Sequence, residues 1–425
     1  MKPQERKEIF RKFIEENEIL IIDKNASSRN RLMKIFFDLG AKRQMIHTAS
    51  HLDEAIELFE SKNIGIILSE YLISGGSGFD LFKKIRRERP EEKFPCLILV
   101  TSNMSQTVVA KAAEEDVDSF IIKPYTIQSV HENLLATITF KVNPPDYIKK
   151  IEEGKTVLKS ADFDKAISIF KEACTLNEKP SLAMFYLGQA NYLKKVYQGA
   201  EVSYEAGLNF NEIHFKCLMG LYDLYREENK TEEAYRVVKK IIEYFPTNTE
   251  RFEQIIRLAI LTRNFEDFDK FYDVYKELDE RDAELTKRLG AGLFIAGKYY
   301  ISMGHFDRAM NFFDKVAVSC FEFPQFLRSI ITILIDHDKV DEAHRFLRRF
   351  PSGSMDTEDF RISSFLISSR QMTDKDQIIK LGLDIYNLGF EDKRLYTTLV
   401  ELMKEKEYSP STIEEIEEKL KKLDS

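Results

Sequence analysis

Cysteine and histidine are scarce in this chain, and neither occurs in a spacing that would build a framework. The four cysteines lie far apart, with no CxxC pair: Cys96, Cys174, Cys217 and Cys320. We therefore expect neither a disulfide nor a zinc framework, and this usage fits a reducing cytoplasm. The seven histidines also show no metal-ligand spacing, so we expect no metal site built from them.

Long apolar runs and an excess of positive charge are missing as well. No apolar stretch approaches the ~18 residues that a membrane span needs. The first residues, MKPQERKEIFRKFIEENE, have a charged amphipathic pattern rather than the apolar core of a signal peptide. The net charge of −8 argues against a general nucleic-acid binder and against attachment to an anionic membrane. We expect a cytoplasmic protein with no nucleic-acid partner and no membrane insertion.

Sequence motifs for catalysis and for DNA binding are also absent. No nucleophile–base pair is visible, and the GSGF turn at 76–79 is too short for a phosphate-binding loop. No basic helix-turn-helix candidate occurs either. The sequence therefore predicts neither an enzyme nor a transcription factor.

Over the first 140 of its 425 residues, the chain alternates short apolar runs with amphipathic helical patterns. The apolar runs predict five strands, near residues 19–22, 45–49, 64–68, 95–100 and 119–122. Ser27 or Ser28 is expected to cap the helix that follows the first strand. This alternation predicts an α/β domain with a five-stranded parallel sheet that has helices on both faces.

Polar side chains stand at the ends of four of these strands: Asp23, Glu70, Thr101 and Lys123. The carboxyl ends of parallel strands share one edge, where open α/β sheets place their ligand chemistry. Four short sequence motifs resemble, in order and position, those of the receiver domain of two-component response regulators. They are IIDKN, ILSEYLISGGSG, LILVTS and FIIKPY. The resemblance covers about residues 17–140 and implies a flavodoxin-like fold and a role in phosphorelay signalling.

The resemblance also implies a role for individual residues. Asp23 matches the first of two adjacent acids that help hold Mg²⁺ in that family. Thr101 matches the hydroxyl and Lys123 the lysine that contact the phosphoryl group. Phe120 matches the aromatic switch position.

The sequence departs from the family pattern at two positions. Glu70 stands eight residues before Gly78, where the family has the Asp that accepts phosphate, and Lys24 replaces the second metal-binding acid. Glu is one methylene longer than Asp, and a misplacement of ~1 Å can cost ~10²-fold in rate. Mg²⁺ needs oxygen ligands, which Lys24 does not offer. We expect Lys24 and Lys123 to neutralise Asp23 and Glu70, with Mg²⁺ binding lost and no other cofactor.

Two interpretations of Glu70 stay open. In the first, the site is a structural remnant in which an ion-pair network joins the strand ends. In the second, Glu70 is a fixed stand-in for a phosphorylated Asp, with its charge directed toward Thr101.

After the paired prolines of Val142–Pro145, strand signals vanish and only helical patterns follow. One slot near the start of every second helix recurs at steps of 34 residues, with one step of 41 that carries a seven-residue insertion. The slot holds Ala166, Ala200, Ala234, Phe268, Ala309 and Ala343. Three of these markers have a glycine twelve residues earlier: Gly154, Gly188 and Gly297. The pattern resembles the tetratricopeptide repeat, and an unrelated helical array is the alternative.

The expected organisation is an N-terminal helical extension at 1–16, a receiver-like domain at 17–141, a linker at 142–147, six tetratricopeptide-like units at 148–352, and further helical pairs with a charged cap at 353–425. Ile255–Tyr275 is the most degenerate unit. Such an array usually binds an extended peptide or a helix on its concave face. Basic residues on the first helices of the units are candidates for binding an acidic partner: Lys194, Lys195, Lys216, Arg257 and Lys298.

These features together predict a non-enzymatic bacterial signalling adaptor. Its receiver would work without phosphorylation, and proteins would bind to the repeat groove and to the receiver face, with a homodimer left open. The alternative is a working response regulator in which Ser69 or Glu70 is phosphorylated and the repeats are the output.

Overall fold

The computed structural model describes residues 2–88, 94–102, 106–246, 249–278 and 281–423. The chain divides into two compact units, Met1–Asn248 and Thr249–Ser425. Within the described ranges, no helix is both long enough and apolar enough to cross a membrane.

The first part of unit 1 alternates strands and helices. The strands are β1 (Glu18–Ile22), β2 (Ile46–Ala49), β3 (Ile64–Ser69), β4 (Leu72–Ile73), β5 (Gly76–Ser77), β6 (Cys96–Thr101) and β7 (Ser119–Ile122). The helices are α1 (Pro3–Glu16), α2 (Ala26–Asp38), α3 (Leu52–Ser61), α4 (Gly78–Glu88), α5 (Gln106–Glu114) and α6 (Ile127–Val142). The main sheet is parallel in the order β2-β1-β3-β6-β7, and β4 and β5 form a small antiparallel pair. The predicted five-stranded parallel sheet is confirmed.

Each face of this sheet has its own apolar core, because successive side chains of a strand point to opposite faces. Along β3, Ile66 and Leu68 belong to the core on one face, whereas Ile67 belongs to the core on the other. Helix α1 adds Phe10 to the first core, and this ring lies 5.0 Å from the His131 ring of α6. The N-terminal helix is therefore part of the packed domain.

Helix α2 begins two positions earlier than a Ser27 cap would allow. Asn25 Oδ1 accepts hydrogen bonds from the backbone N–H groups of Ser27 and Ser28, at 2.8 and 3.3 Å. The expectation that Ser27 or Ser28 caps this helix is wrong, because Asn is an equally good cap and precedes both serines.

Beyond α6 the described chain is helical. Asn143, Pro144 and Pro145 connect α6 to α7. Unit 1 continues with α7 (Asp146–Lys159), α8 (Phe163–Thr175), α9 (Ser181–Leu193), α10 (Tyr197–Phe210), α11 (Phe215–Glu227) and α12 (Thr231–Tyr244). These are three helix pairs, as the 34-residue period predicts.

Unit 2 contains the remaining pairs. They are α13 (Thr249–Leu261), α14 (Phe268–Glu277), α15 (Ala283–Ser302), α16 (Phe306–Ser319), α17 (Gln325–Asp336), α18 (Val340–Leu347), α19 (Glu358–Gln371), α20 (Lys375–Asn387), α21 (Lys393–Glu405) and α22 (Pro410–Leu423). In the degenerate unit a 3₁₀ turn at Phe265–Asp267 precedes α14, which has only ten residues. The all-α array after the receiver-like part is confirmed.

The repeat period follows from a close contact between the two helices of a pair. The six marker residues are buried, with at most 1% of their surface exposed: Ala166, Ala200, Ala234, Phe268, Ala309 and Ala343. The glycines on the first helices face aromatic rings, in the pairs Gly154–Phe170, Gly188–Tyr204 and Gly297–Phe313. A Cβ added at these glycines would lie 2.4 or 2.5 Å from a ring carbon, so only glycine lets the helices approach this closely.

We predict that Gly297→Ala lowers the free energy of unfolding of the protein. Alanine favours a helix by about 1 kcal/mol over glycine, but overpacking a full core costs about 1–3 kcal/mol, and the Phe313 ring is fully buried. Denaturant unfolding of Gly297→Ala, Phe313→Leu and the double variant measures the effect. We expect the smaller leucine side chain of Phe313→Leu to relieve part of the alanine cost, and strictly additive losses would contradict the contact.

Candidate functional site

The four predicted strand-end residues meet at one edge of the sheet. Asp23 follows β1, Glu70 follows β3, Thr101 ends β6 and Lys123 follows β7. The chain changes direction across the sheet between β1 and β3, which have their sequence neighbours on opposite sides. This is where doubly wound sheets form a ligand crevice. We refer to these four residues as the strand-end pocket.

Lys123 is the centre of the strand-end pocket. Its Nζ donates a hydrogen bond to Asp23 Oδ2 at 2.7 Å and another to Glu70 Oε2. The side chains are largely enclosed, with exposed fractions of 4% for Asp23, 15% for Glu70 and 23% for Lys123. One ammonium thus lies between two carboxylates and offsets the repulsion that would otherwise disfavour their joint ionisation.

Backbone amides hold the other carboxylate oxygens. Asn25 N–H donates to Asp23 Oδ1 at 2.8 Å, and Tyr71 N–H donates to Glu70 Oε1 at 2.8 Å. The Glu70 amide itself donates to the Ile22 carbonyl at 2.8 Å, which ties the end of β3 to the end of β1. Each of the four carboxylate oxygens therefore has a hydrogen-bond donor.

The pKa values in the strand-end pocket follow from these contacts. Burial alone would raise the pKa of Asp23, but hydrogen bonds from Lys123, Ser28 and Asn25 outweigh it and lower that pKa. Burial alone would lower the pKa of Lys123, but its hydrogen bonds to Asp23 and Glu70 raise it. Both shifts favour the ionised forms, so Asp23 and Lys123 are charged across the neutral pH range.

Lys24 does not pair with Asp23 or Glu70 as the sequence predicts. Its side chain is exposed, and among the described residues it has no ion pair with Asp23 or Glu70. The expectation that Lys24 shares in neutralising the two acids is wrong. Asp23 is buried at the sheet edge, where 2% of the whole residue is exposed. The next residue, Lys24, faces solvent. Among the described residues, Lys123 is the cation that forms ion pairs with both acids.

The donor set of the strand-end pocket does not fit Mg²⁺. The family pattern offers three carboxylates, whereas this pocket has two, and an ammonium already occupies the space between them. Mg²⁺ requires near-octahedral oxygen coordination at about 2.0–2.1 Å, which a cation between the same two carboxylates opposes. Among the described residues no group of three or more His, Cys, Asp or Glu is arranged to hold a metal ion.

Thr101 and Phe120 lie where the chain order predicts them. Thr101 is buried at the end of β6, and its carbonyl accepts a hydrogen bond from the Lys123 N–H at 3.0 Å. Phe120 is partly buried against the core on one face of the sheet, and its carbonyl accepts from Asn133 Nδ2 at 2.7 Å. Backbone contacts thus join Thr101 directly to the residue that carries the pocket's ammonium.

Inside unit 1 the sheet domain contacts the repeats, and the sequence did not predict this contact. Lys216, near the start of α11, donates to Asp116 Oδ2 at 2.9 Å, and α5 packs against α12. Arg86 holds the turn by donating to the Asp116 carbonyl at 3.1 Å. The two bridged residues are one hundred positions apart in the chain, and no local pattern signals such a pair.

The basic residues suggested as contacts for an acidic partner fall into two groups, those with an internal ion pair and those without one. Lys194 lies 2.5 Å from Asp164 and Lys216 is bridged to Asp116, so both already have an internal carboxylate. Lys195, in a left-handed turn, Arg257 and Lys298 are exposed. These three make no ion pair within the described part of the chain.

Comparison with known proteins assigns the first part of the chain. Residues 19–135 match the family model for the response regulator receiver domain. The chemotaxis protein CheY of Pseudomonas aeruginosa is 26% identical over 118 residues, which cover 27% of this chain and 91% of that protein. The transcriptional regulatory protein SrrA of Staphylococcus aureus is 31% identical over 114 residues, or 27% of this chain and 44% of SrrA.

Two solved structures align with longer stretches of the chain. A tetratricopeptide repeat protein from Parabacteroides merdae covers 60% of this chain and 98% of its own, with 18% identity and a TM-score of 0.29. YrrB, a tetratricopeptide protein described as having an unusual peptide-binding site, covers 43% of this chain and 91% of its own, with 17% identity and a TM-score of 0.28. We assign the helical part from its own helix pairs and their 34-residue step. The chain therefore carries a response regulator receiver domain at residues 19–135, followed by a helical array of the tetratricopeptide kind.

Proposed function

We propose that this protein is a non-enzymatic, cytoplasmic signalling adaptor. Its receiver domain works without phosphorylation, and its helix pairs bind other proteins. The observation that carries the proposal is the position of Lys123, whose ammonium contacts both Asp23 and Glu70.

The chemistry of Glu70 supports a receiver that does not accept phosphate. A carboxylate that attacks a phosphoryl group must present an oxygen along the line of attack. Here Oε2 bonds to Lys123 and Oε1 accepts the Tyr71 N–H. The extra methylene of Glu also displaces its oxygens relative to Asp, and misplacement by ~1 Å can cost ~10²-fold in rate.

The missing metal ligand supports the same proposal. In the receiver family Mg²⁺ neutralises the charge of the transferred phosphoryl group, but position 24 offers no carboxylate in this chain. Without that cation, a phosphoryl group would add negative charge beside the two carboxylates that share Lys123.

The contact inside unit 1 offers a route from receiver to repeats. Helix α5 lies beyond Thr101 on the chain, packs on α12 and ends in the turn that presents Asp116 to Lys216. An exposed ion pair of this kind contributes about 0–1 kcal/mol. We infer that this contact sets the orientation of two parts of one unit, while the packing of helices supplies most of its stability.

We predict that the unmodified protein forms no stable acyl phosphate when treated with acetyl phosphate and Mg²⁺, because Glu70 is engaged and position 24 lacks a carboxylate. Intact-protein mass spectrometry measures the adduct. Lys24→Asp combined with Glu70→Asp restores the family's acid set and should gain phosphate, and Glu70→Asp alone separates the two causes.

A stoichiometric adduct on residue 70 of the unmodified chain would contradict the proposal. It would favour the alternative, a phosphorylatable response regulator with a repeat output domain. No adduct on the doubly substituted protein would show that the internal Lys123 bonds block the pocket even when the family's acids are present.

We predict that Glu70→Gln lowers the free energy of unfolding by about 1.5–3 kcal/mol, the range for a hydrogen bond to a charged group. Breaking a buried pair outright costs about 3–5 kcal/mol, but Lys123 keeps its bond to Asp23 in this variant. Denaturant unfolding measures stability, and hydrogen exchange in α11 reports on the contact with Lys216.

The two readouts separate the two interpretations of Glu70. Lower stability with unchanged exchange in α11 supports a structural remnant. Faster exchange in α11 with unchanged stability supports a fixed stand-in for a phosphorylated Asp. No change in either quantity would mean that the Glu70 charge matters to neither.

A further inference from the structure

Helix α2 lies beside the strand-end pocket and holds two of the segments that form it. Arg29 Nη1 donates a hydrogen bond to the Asp23 carbonyl at 2.5 Å. Arg31 Nη2 donates one to the Tyr125 carbonyl at 2.6 Å. Asp23 belongs to the pocket, and Tyr125 stands two residues after Lys123. Two positions along a helix differ by about 200° around its axis, so the two arginines reach segments on different sides of α2.

The contact between Arg31 and Tyr125 has two parts. Besides the hydrogen bond, the guanidinium carbon of Arg31 lies 5.0 Å from the centre of the Tyr125 ring, within the range of a cation–π contact. Arg31 is exposed as a whole, but Tyr125 is buried in the apolar core that α2 and α6 share. A planar guanidinium can donate to a carbonyl while its face lies on a ring, whereas a lysine ammonium has no flat face. Arg31 therefore restrains both the backbone and the side chain of Tyr125.

The segment around Lys123 depends on such a restraint, because it leaves the sheet at an edge. Strand β7 is the last strand in the sheet order and pairs with β6. The Lys123 N–H still donates to the Thr101 carbonyl at 3.0 Å, but Pro124 has no N–H that could continue the ladder. Arg31 contacts the residue that follows, Tyr125. Lys123 is thus fixed by the sheet on one side and by α2 on the other.

This restraint bears on the pocket because the ammonium of a lysine sits on a long, flexible stem. A shift of the backbone at Lys123 would move Nζ away from one of its two carboxylates, Asp23 at 2.7 Å or Glu70. Within the described ranges, neither Arg29 nor Arg31 forms an ion pair with these acids, so neither arginine replaces the charge of Lys123. Arg31 acts on the pocket through the position of Lys123.

We propose that Arg31 is a positioning residue of the strand-end pocket, which places the Lys123 ammonium between the two carboxylates. This inference deepens the proposed function and rests on it, because that function depends on an internal cation in the pocket. The observations that carry it are the hydrogen bond and the ring contact between Arg31 and Tyr125. A residue outside the pocket thereby controls the charge balance inside it.

The test measures how fast individual lysines of the full chain react with a trace amount of acetic anhydride. Mass spectrometry of peptides compares Lys123 with Lys141, an internal reference that is 12% exposed and pairs with Asp118 at 2.6 Å. The variants are Arg31→Ala, Arg31→Lys and Lys34→Ala. The last of these is the matched control, because it removes an exposed cation one turn further along α2.

We expect Lys123 to react about ten-fold faster in Arg31→Ala, the effect of losing one hydrogen bond to a charged group. Removal of a positive charge near Lys123 would by itself favour its protonated form and slow the reaction, so the expected sign separates positioning from electrostatics. Arg31→Lys keeps a donor without the flat face and should give a smaller increase. Lys141 should react equally slowly in every variant, and Lys34→Ala should leave the Lys123 rate unchanged.

An unchanged Lys123 rate in Arg31→Ala would overturn the inference. An equal rise at Lys123 and Lys141 would overturn it too, because it reports a general loosening of the fold. Either result leaves the proposed function standing when Lys123 of the unmodified protein reacts as slowly as Lys141. If Lys123 of the unmodified protein instead reacts as fast as the exposed Lys34, its ammonium is not held in the pocket, and this inference fails together with the proposed function.

Discussion

The hydrogen bonds of one ammonium organise the receiver domain of this protein. Lys123 lies after the edge strand β7, and Asp23 and Glu70 lie after β1 and β3, which are neighbours in the sheet. By contacting both carboxylates, Lys123 joins three strand ends and offsets the repulsion between the two acids at this edge. The low exposure of the Asp23 side chain, 4%, makes the compensation necessary, since an unpaired buried charge is costly.

The repeats depend on a different constraint, the absence of a side chain at three glycines. Gly154, Gly188 and Gly297 let an aromatic ring of the second helix reach the backbone of the first. This contact fixes how the helices of a pair approach and repeats with the 34-residue step. The outer positions are free to vary, so the chain can bring a lysine to Asp116 in unit 1 and leave two unpaired cations in the described part of unit 2.

Patterns that arise from burial could be predicted from the sequence. Apolar runs located the five strands, and the marker slots located the helix pairs, because both are set by which side chains leave water. The chain order of strand ends also placed Asp23, Glu70 and Lys123 together. Local chemistry was harder to predict, since Asn25 rather than a serine caps α2.

The direction of single side chains and contacts between distant segments could not be predicted. Lys24 follows a buried aspartate, yet it points to solvent, and no composition rule reveals this. The bridge between Asp116 and Lys216 joins two domains of the chain and depends on their docking. The same limit applies to the basic residues of the repeats, where only the structure separates Lys194 and Lys216, which are paired, from Arg257 and Lys298.

An NMR titration of Lys123, followed at its side-chain Cε with and without millimolar Mg²⁺, tests most directly whether its ammonium bridges the two acids. A raised pKa means that the paired ammonium stabilises the fold below pH 10.5, and that this stabilisation is lost as pH rises through the higher folded-state pKa. We predict that the pKa of Lys123 lies above 10.5 and that Mg²⁺ does not change it. A midpoint at or below that value, or a Lys123 signal displaced by Mg²⁺, would contradict it.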